Sequence, residues 1–195
     1  MTVLDIWNAA LAMLPHDRRI NSIEENSTEA LRMRDAWDSA RQYVIASAEW
    51  GWLVEQDVVC PSQAHSPIGM YQYPRPMGAI RVLGLFDNRG RRIQAQSVDG
   101  MLLSRYQASS VRYIRDNTDV EMWPSWFTDA VVTELASRVA GSITGSMQQA
   151  KVLEAKAMLM LEKAKQIDAQ EIAYSGTDGR TYARSRNGDL GICEL

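Results

Sequence analysis

The chain opens on a helical pattern. Val3, Trp7, Ala10 and Leu14 recur at spacings of four, three and four, and Leu4 and Leu11 widen the stripe. One apolar face of an α-helix has this period, so the spacing predicts an amphipathic helix over 2–14. Thr2 is placed to cap it, with Asp5 three residues on as a weak capping box. Pro15 stops it, having no N–H to donate to a further turn. A polar link follows, whose large apolar residues are Ile20 and Ile23. Ser27 or Thr28 caps a second helix, 28–49, with Ala30, Met33, Trp37, Ala40 and Val44 facing inward and Gly51 as its end.

Between 52 and 115 no helical period is sustained. Trp52, Val54, Val58, Val59 and Cys60 make a strand-like run that Pro61 breaks. Residues 61–78, rich in Pro and Gly, read as a loop crossing a surface and pinned by Tyr71 and Tyr73. Residues 80–86 read as a strand, 87–90 as a turn, 92–96 as the returning strand, and 111–115 as a third, alternating strand. Helical spacing resumes at 125–140 after Trp123-Pro124, and Gly141 and Gly145 mark its break. A last helix, 146–173, carries Ala150, Leu153, Ala157, Met160, Ala164 and Ile167 as a heptad seam, and would reach roughly 40 Å. The alanines in that seam favour packing against helices of the same chain over a homomeric coiled coil. From 175 onward the chain is polar and rich in Gly, and cannot offset its ordering entropy unless it docks on something.

The pattern as a whole predicts a mainly α fold: a four-helix bundle with an inserted small antiparallel β-hairpin section (about 52–115) and a flexible C-terminal tail. A single helical domain spans 1–174 and an extended tail 175–195. Trp7, Trp37, Trp126, Leu153 and Met160 lie on apolar stripes and are assigned to core packing. Trp50, Trp52 and Trp123 sit where helices meet the β section and are assigned to packing there.

Composition narrows the function. A chain of 195 residues, with 46% hydrophobic and 23% charged residues, can build a core without disulfide or metal. Two Cys, at 60 and 193, suit a reducing compartment. The first residues lack the basic region of a signal peptide, and the apolar runs fall short of the ~20 residues of a membrane span. Two His, at 16 and 65, cannot supply a His-rich metal site. P-loop, GxGxxG, GxSxG and HExxH motifs are missing. The acids mostly stand at helical spacing beside bases, the pattern of a solvated surface. No catalytic, metal or cofactor residues are therefore assigned, and the chain is expected not to be an enzyme.

The net charge of −3 conceals an uneven distribution. Residues 75–115 hold eight Arg and no Lys against Asp87 and Asp99, a local +6. Arg suits bidentate contact with carboxylate or phosphate. Arg89, Arg91 and Arg92, at the predicted turn, are expected to project towards a neighbouring protein.

Several word-like stretches carry a resemblance. They include Leu4-Asp5-Ile6-Trp7-Asn8-Ala9-Ala10-Leu11 and Ile20-Asn21-Ser22-Ile23-Glu24-Glu25-Asn26-Ser27. Trp37-Asp38-Ser39-Ala40-Arg41, Glu49-Trp50-Gly51-Trp52 and Tyr71-Gln72-Tyr73-Pro74-Arg75-Pro76 follow, and then Val111-Arg112-Tyr113-Ile114, Trp126-Phe127-Thr128-Asp129-Ala130 and Ile143-Thr144-Gly145-Ser146. In their order and spacing, from residue 2 to about 174, they resemble the head-to-tail connector (adaptor) proteins of short-tailed double-stranded DNA phages, the tail tubular protein A type. The resemblance implies a structural virion protein, assembled in a bacterial host's cytoplasm and lodged at the head–tail junction. It would dock under the portal protein after DNA packaging, form a ring of its own copies (twelvefold on the portal), extend the DNA channel and carry the tail tube or nozzle protein. Contact with genomic DNA would be transient and non-specific, because DNA must slide through, and no membrane is involved. The tail would tie neighbours together, with Tyr182, Leu190 and Ile192 as anchors.

Two other classes compete. A helical nucleic-acid-binding regulator would need a compact basic recognition helix, which none of the predicted helices supplies. A small carboxylate-based hydrolase would need paired acids in a pocket.

Overall fold

The computed structural model describes residues 1–15, 19–62 and 69–174. They divide between two compact units, one formed by residues 1–48 and 117–171 and the other built around 49–116.

The first unit holds four helices: α1 (Val3–Leu11), α2 (Thr28–Ala46), α3 (Ser125–Thr144) and α4 (Met147–Tyr174), the last of which runs beyond the unit at its end. Thr2 and Asp5 form the capping box of α1: the Asp5 N–H donates to Thr2 Oγ1 at 3.2 Å and the Thr2 N–H to Asp5 Oδ2 at 2.8 Å. The Thr2 N–H first, and then the Thr2 hydroxyl, which also donates to Asp5 Oδ2 at 2.8 Å, hold the Asp5 carboxyl below the ordinary carboxylate range. Asn8 ties the link after α1 back onto the helix, its side-chain amide exchanging two 2.9 Å hydrogen bonds with the backbone of buried Ile20. Gly145 closes α3 in the left-handed conformation, φ 68°, its N–H bonded to the Gly141 carbonyl.

Leu11, Met33, Ile45, Phe127 and Leu135 are fully enclosed in this unit. An aromatic chain runs beside them. Trp37 stacks on Trp123 at 6.0 Å, Trp7 meets Trp37 edge-on, and Trp123 meets Phe127 edge-on at 5.2 Å. α4 runs back along α3. A methyl group on Gly141 would stand 3.9 Å from the Ala150 Cβ, and Trp126 Nε1 donates to Glu171 Oε1 at 3.2 Å.

The buried face of α4 is Leu153, Ala157, Leu161, Ala164 and Asp168. Met160 and Ile167, placed on the seam by a strict heptad, are only half-buried. A straight helix drifts by ~20° per heptad, so the buried stripe steps forward by one residue at each of these points.

The second unit corrects the expected fold class. The insertion is not a small hairpin section on a helical bundle. Among the described residues it is seven strands in two antiparallel sheets. One sheet has four strands in the order β1-β7-β3-β4: β1 (Val54–Val58), β3 (Ala79–Phe86), β4 (Arg92–Ile93) and β7 (Ser110–Arg115). The other has three, in the order β2-β6-β5: β2 (Tyr71–Pro74), β5 (Gln96–Val98) and β6 (Met101–Ser104). Tyr73, Leu85, Leu102, Ala108, Val111 and Tyr113 make their common core.

The second sheet has a weak signature for physical reasons. Gln96–Val98 is exposed at every position, so it shows no apolar alternation. β2 lies in the Pro-rich stretch and ends on Pro74, which is tolerable on an edge strand. The stretch 92–96 is not one strand: only Arg92–Ile93 pairs with β3, and Gln96 already belongs to the other sheet. Asp99 and Gly100 both adopt positive φ, 47° and 75°, the pair of values a two-residue hairpin turn requires.

Candidate interaction surface

Arg89 and Arg91 fall on the β3–β4 connection, Arg92 opens β4, and all three are exposed. The connection is braced by one side chain. Asp87 Oδ1 accepts the N–H groups of Arg89 and Arg91 at 2.9 and 2.8 Å, and Oδ2 accepts from the Arg91 guanidinium at 2.9 Å. These bonds, the Arg91 N–H foremost, hold the Asp87 carboxyl below its ordinary range. Gly90, at φ 73°, supplies the left-handed step that brings the chain back.

The three arginines therefore differ. Arg91 is turned onto Asp87, although its side chain stays 70% exposed. Arg92 lies across the backbone of Gly84, where a Cβ would stand 2.8 Å from its Nε. Arg89 stands at the tip with no ion pair among the described residues.

Most of the other arginines of the +6 segment are used inside the unit. Arg75 donates to the Ala79 and Ile80 carbonyls, both at 2.9 Å. Arg81 lies 3.6 Å from Glu49. Arg112 sits over the Phe86 ring at 4.6 Å and donates to Gln56 Oε1 at 2.8 Å. Arg115 lies 3.3 Å from Glu55. Arg105 is exposed just beyond β6 and, like Arg89 and Arg92, has no ion pair among the described residues.

Two shallow grooves, of about 360 and 330 Å³, meet at Gln94 and Ala95. Arg92 flanks the first, while Arg105 and Tyr106, an exposed aromatic, flank the second. The sequence reading singled out neither Arg105 nor Tyr106. The Asp99-Gly100 turn, which folds β5 against β6 and so brings Arg105 beside Gln94–Gln96, was the signal that could have found them.

One cluster of acids sits on the β unit. Tyr113 on β7 faces Glu55 on β1 in register, and its hydroxyl lies 3.0 Å from Glu55 Oε2 and 2.8 Å from Asp57 Oδ2. Burial first, then the hydrogen bonds to the two carboxylates, push the Tyr113 phenol far above its ordinary value. With Arg115 alongside, this cluster is a cross-strand brace.

Of the residues assigned to packing, Trp7 and Leu153 are buried, whereas Trp37, Trp126 and Met160 are half-buried. Tyr182, Leu190 and Ile192, with the tail from 175, lie outside the described residues, as do His16 and His65. Among the described residues no group of three His, Cys, Asp or Glu could hold a metal ion. Nor, among them, is any helix long and apolar enough to cross a membrane.

No family model matches this chain, and no curated protein matches it either.

Proposed function

We propose that this chain is a structural virion protein, a head-to-tail connector. It docks under a portal ring once DNA is packaged, extends the DNA channel and forms the platform on which the tail assembles. Its partners are the portal protein, its own copies in a ring (twelvefold on the portal) and a tail tube or nozzle protein, with passing DNA touched only transiently. It works through surfaces and catalyses nothing.

The observation that carries this reading is the braced β3–β4 turn. Asp87 fixes the backbone while Arg89 and Arg92 are left without an ion pair among the described residues. Such Asp–backbone bonds are ordinary turn chemistry, and at a contact point they also preorganise the turn, because the ordering cost falls in folding rather than in docking. The ordered sequence words from residue 2 to about 174 supply the identity of the partner.

Mixing the purified chain with portal rings and imaging the product tests the proposal. Decorated portals are expected, and Arg89→Ala/Arg91→Ala/Arg92→Ala should abolish or sharply reduce decoration. Undecorated portals would refute the reading. Salt-sensitive retardation of DNA fragments at submicromolar protein would instead favour the nucleic-acid-binding regulator.

A further inference from the structure

The β unit has an open edge. Arg92–Ile93 is the outermost strand of one sheet and Gln96–Val98 the outermost strand of the other, so one continuous stretch, 92–98, borders both. Residues 94–98 are exposed at every position. Val98 and Met101 flank the two-residue turn, and such a pair exchanges both of its backbone hydrogen bonds. Bonded and non-bonded pairs alternate along an antiparallel ladder. Gln96 therefore bonds to Leu103, while Ser97 turns its N–H and C=O away from β6. Gln94 and Ala95 belong to neither ladder. Edge strands are commonly blunted by a charge or a proline, and residues 93–98 contain neither.

The charges round this edge are unbalanced. Residues 84–106 carry Arg89, Arg91, Arg92 and Arg105 against Asp87 and Asp99. Arg91 and Asp87 close on each other at 2.9 Å. Elsewhere in the unit Glu49 is paired with Arg81, Glu55 with Arg115, and Asp57 accepts the Tyr113 hydroxyl. Asp116 bonds through its N–H to Gly78, at the end of β3 away from β4. Ser104 Oγ donates to the Gln94 carbonyl at 2.8 Å, which brings Arg105 beside the groove residues Gln94 and Ala95. Arg92 flanks the same two residues from the other groove. Asp99 stands at the far end of β5, in the turn. The 92–95 end of the edge is thus basic.

Three demands fall on whatever covers this edge. It must offer an amide donor and a carbonyl acceptor to Ser97, carboxylates to Arg92 and Arg105, and an apolar side chain to Leu103 and the exposed Tyr106, which line the second groove. An extended acidic peptide meets all three. The backbone of duplex DNA brings phosphate acceptors for the arginines and no donor for the Ser97 carbonyl.

We propose that the 92–98 edge takes up an extended acidic peptide segment of another protein as an added β-strand, with its carboxylates on Arg92 and Arg105 and an apolar side chain on Leu103 and Tyr106. Main-chain bonds along the edge hold the segment, and the arginines select its charge. The proposal goes beyond the connector reading and does not depend on it.

The test titrates the full-length ¹⁵N-labelled chain with the capped heptapeptide Glu-Glu-Val-Thr-Val-Glu-Glu and reads amide shifts, with anisotropy of the fluorescein-labelled peptide giving affinity. Shifts centred on 92–98 and 103–106 are expected, and binding should weaken at high salt. An analogue with Lys in place of every Glu should not bind, and Arg92→Glu/Arg105→Glu should weaken binding at least tenfold. Ser97→Pro removes the outward N–H and leaves the β5–β6 bonds in place, so it should weaken binding as much. Two further peptides test strand addition without altering the protein. One is N-methylated at the central Thr and the other at both Val residues. Alternate amides of an added strand face the edge, so only one of the two should lose binding; any other pattern overturns the proposal. Shifts confined to other surfaces, or equal binding of the Lys analogue, overturn it too. Displacement of the peptide by a short DNA duplex with shifts at 92–98 would make nucleic acid the occupant. Movement of amides in 175–195 together with 92–98 would make the chain's own tail the occupant, and loss of a self-associated form on peptide addition would make it a second copy. Each of these three results refutes the proposal and leaves the portal mixture to decide the connector reading.

Discussion

Alkaline pH should destabilise the β unit through Tyr113. Its phenol is buried between β1 and β7 and bonded to Glu55 and Asp57, so it remains protonated in the folded chain well above its ordinary range. In the unfolded chain the same phenol ionises near pH ~10. An acid whose folded pKa is raised contributes stability that is complete below the unfolded pKa and declines above it. At a pH one unit above the unfolded value, the unfolded chain gains RT ln 11, about 1.4 kcal/mol, from this one group. Tyr73 adds in the same direction, because burial raises its phenol too. Urea unfolding of wild type and Tyr113→Phe at about pH 9 and about pH 11 reads the effect. Between the two pH values the wild type should lose about 1.4 kcal/mol more than the variant, since the titration of every other group cancels in the difference. The phenolate absorbance of the folded protein should also show fewer than seven tyrosines titrating before unfolding. Equal losses in the two proteins, or seven phenols ionising together near the ordinary value while the fold persists, would refute the reasoning.

Other substitutions probe the packing. Tyr73→Phe removes only the oxygen that accepts the buried Ala108 N–H at 2.7 Å, and should cost about 1–3 kcal/mol in urea unfolding. Gly84→Ala places a Cβ 2.8 Å from Arg92 Nε at φ 155°; it should cost about 1–3 kcal/mol in the same assay and displace the Arg92 side chain, which an amide chemical-shift map of the β3–β4 turn would register. Leu161→Ala should cost about 2–5 kcal/mol and Met160→Ala clearly less, the reverse of what a strict heptad demands, as thermal unfolding of the two variants would show.

The helices were legible because their signals are local and redundant. The Thr2–Asp5 box, the Ser27 cap, Pro124 and Gly145 mark ends that apolar spacing already implied. The error in fold class arose where tertiary context replaces pattern. β5 has no buried residue, β4 is two residues long, and β2 sits among prolines, so none of them shows an alternation of its own. Each is a strand because a neighbour pairs with it, Tyr71–Pro74 with Met101–Ser104 and Gln96–Val98 with Leu103–Met101. The Arg-rich turn was legible from Asp-Asn-Arg-Gly followed by two arginines. Its division of labour was not, because whether an arginine is spent on a carbonyl, a ring or a carboxylate depends on strand register. Glu55 reaches Arg115 and Gln56 reaches Arg112 across β1 and β7, more than fifty residues apart in sequence.

The net charge of −3 averages over two unlike surfaces. Residues 1–48 and 117–171 carry ten basic against fifteen acidic side chains, a balance of −5, while 49–116 carry eight Arg against six acids, a balance of +2. The choice of base differs as well. In the β unit the base is always Arg, and its planar, forked guanidinium is used where geometry counts: bridging two carbonyls at Arg75, stacking on Phe86 at Arg112, closing on Asp87 at Arg91. On α4 the base is always Lys, a compact and strongly hydrated charge on a flexible stem, which attracts a carboxylate without fixing it. Those guanidiniums are spent within the β unit, which leaves Arg89, Arg92 and Arg105 as its exposed cations with neither such a use nor an ion pair among the described residues.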